Sequence, residues 1–243
     1  ANLTVNGNDG KTPFVLHVSS LAAREPHLSH YAYSKHLSEQ TVTNQLAGMP
    51  HCIIRPPAVY GPGDEEFKKV LDPMLNLGLA PKAGFADSRF SLIFVDDLAS
   101  AIIAALKSPP KAGIYELDDL GHNNEGQGYN TDELKKVVVG LSGRSVKTIT
   151  IPKFCIYLLG YLGSFWAQIT RKPAMLTHKK AGEICHPNWV INHQSQELFL
   201  VFCASSKSTF LSAWINSCAL KVFYNKCYNI WQEIGSLRLP PFV

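Results

Sequence analysis

Tyr31-Ala32-Tyr33-Ser34-Lys35 is the stretch that decides the fold, because it opens a helix that lies between two apolar strands. The helix is predicted over residues 31–47, and Gly48-Met49-Pro50 stops it. Phe14-Val15-Leu16-His17-Val18 precedes the helix and His51-Cys52-Ile53-Ile54-Arg55 follows it, and both runs are short and apolar, as buried strands are. This order of strand, helix and strand predicts a βαβ unit with parallel strands.

The alternation of strand and helix continues over the first 120 residues and favours an α/β fold. Asp96 or Asp97 is expected to cap the helix at 98–107, because a short carboxylate accepts from the free amides of a first turn. The further elements predicted are strands at 90–95, 114–117 and 146–151, and helices at 65–77, 98–107, 131–140 and 151–169.

Three polar side chains form the strongest candidate site: Ser20, Tyr31 and Lys35. Ser20 follows the end of the first strand, where side chains emerge at the edge of a parallel sheet. Tyr31 and Lys35 are four residues apart, so they share one face of the helix. Tyr33 is two residues from Lys35 and points elsewhere, and this spacing selects Tyr31 as the reactive phenol.

This set of groups suits the interconversion of an alcohol and a ketone. A free phenol has a pKa near 10 and is a poor base at pH 7. An ammonium about 4 Å away favours a phenolate by roughly 4 kcal/mol at an effective dielectric constant of 20, before desolvation is counted. Tyr31 could then exchange a proton with a substrate oxygen, while Ser20 hydrogen-bonds the same oxygen.

Four motifs together resemble those of the extended short-chain dehydrogenase/reductases, the NAD-dependent epimerase/dehydratase superfamily. They occur in the same order, and the similarity runs from about residue 13 to 190. The motifs are Val18-Ser19-Ser20, Tyr31-Ala32-Tyr33-Ser34-Lys35, Arg55-Pro56-Pro57-Ala58-Val59-Tyr60-Gly61-Pro62-Gly63 and Val95-Asp96-Asp97-Leu98-Ala99.

The resemblance implies a role for each matching position. Ser20, Tyr31 and Lys35 correspond to the catalytic triad, and Tyr31 and Lys35 also contact the cofactor, which is NAD or NADP. Arg89 and the segment through Asp97 would close the site near the substrate. Pro57, Ala58 and Val59 would line the nicotinamide pocket.

The resemblance also implies a fold and a division of the chain. The expected fold is α/β, a partial Rossmann-like doubly wound parallel sheet with a smaller, mainly helical C-terminal substrate region. Residues 1–120 would be the C-terminal part of the NAD(P)-binding domain, with 62–89 contributing to the substrate region. Residues 121–243 would form that substrate region, and 196–243 match the family pattern poorly.

The glycine-rich loop of such enzymes is missing from these residues. Its G-x-x-G-x-x-G pattern lets backbone amides at a helix N-terminus approach the pyrophosphate of the cofactor. Gly160 and Gly163 lie inside the apolar helix and lack a third glycine, so they do not supply it. The chain is therefore expected to be truncated, starting just before the strand that carries Ser20, with one sheet edge open and apolar.

Three functions are compatible with these residues. The first is a dehydrogenase or reductase acting on a hydroxyl or carbonyl group, with an apolar substrate mildly favoured by the apolar helix at 151–169. The second is a nucleotide-sugar epimerase with the same triad. The third is a catalytically inactive fragment or scaffold. A dehydratase is disfavoured, because Leu21-Ala22 follow Ser20 where dehydratases carry an acidic pair.

The composition of the chain indicates which binding partners and which cellular compartment to expect. The net charge of +4 comes without a Lys/Arg block, so a small-molecule substrate is expected and a nucleic acid is not. The six cysteines form no C-x-x-C pair and no zinc spacing, so no metal and a cytoplasmic location are expected. Peripheral membrane contact through residues 151–169 and a homodimer remain open.

We predict that these 243 residues alone bind NAD(H) and NADP(H) very weakly, because the amides that would hold the pyrophosphate are absent. Isothermal titration calorimetry measures the affinity directly. Micromolar binding to this polypeptide would contradict the prediction.

Overall fold

The structure is a computed structural model that describes residues 12–61, 64–84, 87–119, 128–142, 145–170 and 176–204. The strands are β1 (Val15–Val18), β2 (His51–Arg55), β3 (Ala58–Tyr60), β4 (Leu79–Ala83), β5 (Arg89–Phe90), β6 (Leu92–Phe94), β7 (Gly113–Glu116), β8 (Lys147–Ile151) and β9 (Asn188–Trp189). The helices are α1 (His30–Gln45), α2 (Glu65–Asn76), α3 (Val95–Lys107), α4 (Thr131–Ser142), α5 (Lys153–Thr170), α6 (His178–Cys185) and α7 (His193–Ala204), with a 3-10 helix at Leu21–Arg24.

A parallel sheet in the order β1-β2-β7 forms the centre of the molecule. β1 and β2 are joined through α1, and this is the predicted βαβ unit. β1 pairs with β2 from Val15 opposite His51 to Val18 opposite Ile54. In the part of the chain that the structure describes, β2 is the only partner of β1, so β1 lies at an edge and Val18 is exposed.

Helices cover both faces of this sheet, because side chains of a strand alternate between its faces. On one face, Cys52 and Ile54 of β2 pack in a core cluster with residues of α3 and α7. On the other face, His17 of β1 and Arg55 of β2 hydrogen-bond to side chains of α1. The predicted α/β class with a doubly wound, Rossmann-like parallel sheet is confirmed.

A second, smaller layer is built on the parallel pair of β4 and β8, which runs from Leu79 opposite Lys147 to Ala83 opposite Ile151. Helix α4 of this layer begins with a capping box, in which two residues each cap the backbone amide of the other. The Asn130 side chain accepts from the Glu133 amide (2.8 Å), and the Glu133 carboxylate accepts from the Asn130 amide (3.0 Å). The core residues of this layer come from α2, β4, α4 and the residue before β8. They are Met74, Ala80, Leu134, Val138 and Val146.

Helices α5 and α6 form a closely packed hairpin. Gly160 of α5 makes the contact possible, because a Cβ at this position would lie 2.9 Å from the Thr177 carbonyl oxygen. Ile156 is buried one turn before Gly160 and packs with Ala181 and Cys185 of α6. The long apolar helix predicted from sequence is confirmed, although Ile151 belongs to β8 rather than to the helix.

The predicted cap of α3 is wrong. The helix begins at Val95, directly after β6, so the N-cap position falls on Phe94, which makes no side-chain cap hydrogen bond. Asp96 and Asp97 lie in the first turn instead, where a negative charge still interacts favourably with the helix dipole. Asp97 is not a surface charge either, since it is only 2% exposed.

Helix α7 joins the central core although the sequence after residue 195 departs from the family pattern. Phe199 is buried and meets Tyr115 of β7 edge to face, with ring centroids 5.3 Å apart. The Gln196 side chain is also buried and donates to the Asp118 carbonyl (3.0 Å). This segment therefore covers one face of the sheet, and residues 205–243 lie outside the described part of the chain.

No helix among the described residues is long and apolar enough to cross a membrane. Cys155 and Cys185 form no disulfide within the described part of the chain.

We predict that Phe199→Ala lowers the free energy of unfolding by about 3–5 kcal/mol, because the change leaves a cavity next to Tyr115. Leu198→Ala is the control, since Leu198 is 50% exposed and Phe199 only 1%. Urea denaturation followed by circular dichroism measures both variants. Equal stability of the two variants would show that α7 does not pack in the core.

Candidate active site

Ser20 lies at the carboxyl edge of the central sheet, as predicted. The Ser19 amide donates to the Ile54 carbonyl (2.8 Å), and the Leu21 amide donates to the Pro56 carbonyl (2.9 Å). These two hydrogen bonds continue the pairing of β1 with β2 beyond the ends of both strands. Ser20 and the Pro56-Pro57 segment are thereby held side by side at one edge of the sheet.

The Ser20 side chain also starts the 3-10 helix at Leu21–Arg24. Its extended backbone places it at the N-cap, where its hydroxyl oxygen accepts from the Ala22 amide (3.3 Å). The cap fixes the direction of the Ser20 side chain, and the long distance leaves a weak hydrogen bond. The hydroxyl can still donate its own proton to a bound oxygen.

Helix α1 presents Tyr31 and Lys35 on one side. Ser29 caps this helix by accepting from the Ala32 amide (3.0 Å), and Ala32 is fully buried. Tyr31 points away from the core and is 53% exposed, with the Lys35 Nζ over its ring, 5.8 Å from the ring centroid. The structure thus brings together the two residues that the helical spacing selected, in a cation–π geometry.

The docking of α1 on β1 places this pair beside the strand that leads to Ser20. The His17 ring of β1 lies 3.1 Å from the Ser38 hydroxyl of α1. Burial first, and then the nearby positive charge of Lys35, lower the pKa of His17, although Glu39 acts in the opposite direction. His17 is therefore neutral at pH 7 and serves as a hydrogen-bonding partner of the helix.

A buried ion pair fastens the same helix to the end of β2, and the sequence did not reveal it. The Arg55 guanidinium donates twice to the Glu39 carboxylate, through Nε (2.9 Å) and Nη2 (2.6 Å). The Ser19 hydroxyl donates to the same carboxylate (2.5 Å). Glu39 follows Lys35 by four residues, so it lies on the same side of the helix as Tyr31 and Lys35. This spacing is the sequence signal that could have identified Glu39 as part of the site.

Each member of this ion pair stabilises the charged form of the other. Burial alone would raise the pKa of Glu39, but hydrogen bonds from Arg55 and Ser19 and the charge of Arg55 outweigh it, so the pKa lies below its ordinary value. Burial would lower the pKa of Arg55, but Glu39 and Glu116 keep it above its ordinary value. Both side chains therefore stay charged across the neutral pH range.

A second glutamate extends the network to the segment after Ser20. The Glu116 carboxylate on β7 lies 3.4 Å from both the Arg55 and the Arg24 guanidinium groups. Arg24 also donates to the Val190 carbonyl (2.8 Å) and to the Asn188 carbonyl (3.2 Å). The network therefore ties together α1, the sheet edge, the 3-10 helix and β9.

The predicted cofactor-lining residues lie next to Ser20. Pro57 is buried, Ala58 at the start of β3 is exposed, and Val59 packs against the central core. A small exposed side chain between two packed residues leaves room for a flat ring at this edge of the sheet. This arrangement is compatible with the nicotinamide half of the cofactor, and the role of Pro57, Ala58 and Val59 stays a prediction.

Arg89, the predicted substrate residue, lies on β5, which pairs with β9 in a two-stranded sheet apart from the central one. Its guanidinium hydrogen-bonds the Gly128 carbonyl (3.1 Å) and the Glu133 carboxylate (3.3 Å) at the start of α4. β9 connects it to the candidate site, because Asn188 pairs with Arg89 and accepts from Arg24. These contacts account for Arg89 structurally, and its substrate role stays a prediction.

Tyr60 is the last residue of β3 and is a second phenol to consider. It is buried, and its hydroxyl donates to the Asp119 carboxylate (3.1 Å), as does that of Tyr129 (3.1 Å). Burial, followed by the negative charge of Asp119, raises the pKa of Tyr60 far above its ordinary value. Tyr60 thus remains protonated and does not compete with Tyr31 as an acid/base. No cluster of three potential metal ligands occurs among the residues described here.

Fold and sequence matches together assign the class of this protein. The chain belongs to the extended short-chain dehydrogenase/reductases, the NAD-dependent epimerase/dehydratase superfamily, which is NAD(P)-dependent. The profile of the 3-beta hydroxysteroid dehydrogenase/isomerase family matches residues 4–112. The resemblance read from the four motifs is thereby confirmed.

Among individual proteins, the chain is similar to the ceramide reductase of Caulobacter vibrioides (strain NA1000 / CB15N). The two sequences are 35% identical over 176 residues, which is 72% of this chain and 53% of that relative. The chain therefore spans about half the length of the curated relative it matches.

Solved structures show the same fold at low sequence identity. The human epimerase family protein SDR39U1 (isoform 2), solved with NADPH, has a TM-score of 0.52 at 15% identity over 76% of this chain and 59% of that chain. A nucleoside-diphosphate-sugar epimerase from Staphylococcus aureus has a TM-score of 0.51 at 15% identity over 84% of this chain and 60% of that chain. At such identities the likeness establishes the Rossmann-like fold alone.

We predict that Glu39→Gln lowers the free energy of unfolding by about 3–5 kcal/mol at pH 7, because it removes the charge that compensates buried Arg55. In the parent chain, the Glu39 carboxylate makes its full contribution to the free energy of unfolding at any pH above its ordinary pKa of 4.5. That contribution is lost as the pH falls below 4.5 and through the lowered pKa of the folded state. The variant should therefore show a shallower loss of stability in acid.

Glu66→Gln is the matched control, because Glu66 also pairs with a cation, Lys69, but lies on the surface. Urea denaturation between pH 3 and 7 gives both the stability and its slope with pH. If the two variants lose stability equally, the Glu39–Arg55 pair does not hold the helix.

Proposed function

We propose that this protein is an NAD(P)-dependent oxidoreductase that transfers hydride at a hydroxyl or carbonyl carbon, with Tyr31 as the acid/base. The observation that carries the proposal is the exposed Tyr31 phenol with the Lys35 ammonium over its ring, on a helix docked beside the strand that ends at Ser20.

In the reductive direction, Tyr31 donates its hydroxyl proton to the substrate oxygen as the carbonyl becomes an alcohol. The Lys35 charge stabilises the phenolate that remains, so the proton transfer costs less. In the oxidative direction the phenolate takes the proton back from the alcohol.

Ser20 contributes a hydrogen bond rather than a proton. Its hydroxyl lies at the sheet edge and donates to the same substrate oxygen, where negative charge develops during reduction. The weak cap hydrogen bond to Ala22 holds the side chain in place without occupying the hydroxyl proton.

The cofactor supplies or accepts the hydride when it is bound. Pro57, Ala58 and Val59 would hold the nicotinamide ring at the sheet edge, and Lys35 would contact the adjacent ribose. The backbone amides that would hold the pyrophosphate do not come from a glycine-rich loop within these 243 residues.

An apolar carbonyl compound is the substrate class we infer. The similar protein from Caulobacter is a ceramide reductase, and ceramide is a lipid. The apolar side chains of α5 and the absence of acidic residues from it agree with a lipid rather than with a sugar nucleotide. We therefore expect a long-chain keto compound to be turned over faster than a nucleotide sugar.

We predict that Tyr31→Phe lowers kcat by about 10²–10⁴-fold, because the phenylalanine cannot transfer a proton. Tyr33→Phe is the matched control: Tyr33 is two residues away and has the same exposure, 53%. Turnover is followed at 340 nm with NADH and NADPH, using the product of the complete gene and an apolar keto substrate.

Equal turnover of the two variants would remove Tyr31 from the mechanism. A purified protein that retains NAD tightly and interconverts nucleotide sugars without net change at 340 nm would instead be an epimerase. Absence of both activities, with a folded protein, would favour the scaffold alternative.

A further inference from the structure

The outer side of α5 is the largest set of exposed apolar side chains on one element. These residues are defined here as the α5 outer face. They are Phe154, Tyr157, Leu158, Leu159, Tyr161, Leu162, Phe165, Trp166 and Ile169.

The exposure of these side chains follows from how α5 packs. The side that faces the protein carries Ile156 and Gly160, which are buried, followed by the half-buried small residues Gly163, Ser164 and Ala167. Close contact with Thr177 at the start of α6 requires the glycine. The helix therefore turns its small residues inward and its large apolar residues outward, the reverse of a helix that covers a soluble core.

The stretch of sequence that contains this face is rich in basic residues. Residues 134–182 contain nine Lys or Arg and no Asp or Glu, whereas the whole chain has a net charge of only +4. Lys153 is the first residue of α5, and Lys179 and Lys180 lie on α6, which packs beside it. Lys180 pairs with Glu183 of the same helix (3.1 Å), so the two helices keep a net positive charge. An apolar face on helices of net positive charge matches a surface that is apolar inside and anionic outside.

We propose that the α5 outer face docks on the surface of a lipid bilayer with anionic headgroups. Its aromatic and aliphatic side chains would enter the boundary between headgroups and acyl chains, with the helix lying in the plane of the surface. Tyr157, Tyr161 and Trp166 suit this depth, since their rings are apolar and carry a polar edge.

Helix α5 is linked to the candidate active site through α6. Helix α6 packs on α5, and its Lys179 Nζ approaches the His30 ring of α1 to 2.9 Å. His30 directly precedes Tyr31, so two contacts lead from the packed side of α5, opposite the α5 outer face, to the reactive phenol. Docking would therefore hold the catalytic helix at the membrane through α6, with α5 between them.

The charge distribution favours a bilayer over the two other occupants that the exposed face allows. A second copy would bring the same net positive charge of α5 and α6 against this face, and like charges at a contact oppose association. A nucleic acid would use the basic side chains but would leave nine apolar side chains in water. An anionic bilayer satisfies both the charge and the apolar surface.

Vesicle binding tests the proposal without cofactor or substrate, so its outcome is separate from that of the oxidoreductase proposal. The chain is incubated with vesicles of phosphatidylcholine and phosphatidylglycerol, or of phosphatidylcholine alone, and then pelleted. We expect pelleting with the anionic vesicles, weakened by salt. Leu162→Asp/Trp166→Asp should weaken this binding about tenfold or more, because charged side chains do not enter the acyl region.

Ile103→Asp/Leu106→Asp on α3 is the matched control, since Leu106 and Leu162 are 55% and 56% exposed. The proposal is overturned if the parent chain stays in solution, or if both double variants bind vesicles equally. It is also overturned if Leu162→Asp/Trp166→Asp lowers the melting temperature, which would show that the chain itself covers the face. A parent dimer that this variant dissociates, without vesicle binding, would assign the face to a contact between copies.

Discussion

The bidentate contact between the Arg55 guanidinium and the Glu39 carboxylate, at 2.9 and 2.6 Å, is the interaction on which the candidate site depends. It joins the carboxyl end of β2 to the middle of α1, in a layer from which water is largely excluded. Two buried charges of this kind favour folding only in an arrangement that satisfies their hydrogen bonds. Helix α1 can therefore dock in one rotation and one height above the sheet.

The fixed docking of α1 sets the positions of all three catalytic candidates. Glu39 follows Lys35 by one turn and Tyr31 by two turns, so the orientation of Glu39 sets the side on which the other two emerge. The same carboxylate accepts from Ser19, next to Ser20, and thereby holds the strand end against the helix. Glu116 also pairs with Arg24, and Arg24 hydrogen-bonds to β9. β9 in turn pairs with β5, the strand that carries Arg89.

The central layer and the α5–α6 hairpin place large apolar side chains in opposite ways. In the central layer, apolar side chains of β2 and α3 pack against each other on one face of the sheet and exclude water. In the α5–α6 hairpin, close approach at Gly160 leaves no room for large side chains at the contact, so they point outward. Close packing of one side of α5 therefore produces the apolar surface on its other side.

The sequence by itself determined the α/β class, the parallel βαβ unit and the Tyr31–Lys35 pair, because strand and helix periodicity and the i,i+4 spacing are local properties. Only the tertiary structure decided that Glu39, Arg55 and Glu116 meet, that Phe199 belongs to the core, and that Asp97 is buried rather than a cap. These outcomes depend on which distant segments pack together. Burial and charge pairing across the sheet are set by that packing, and sequence periodicity does not encode it.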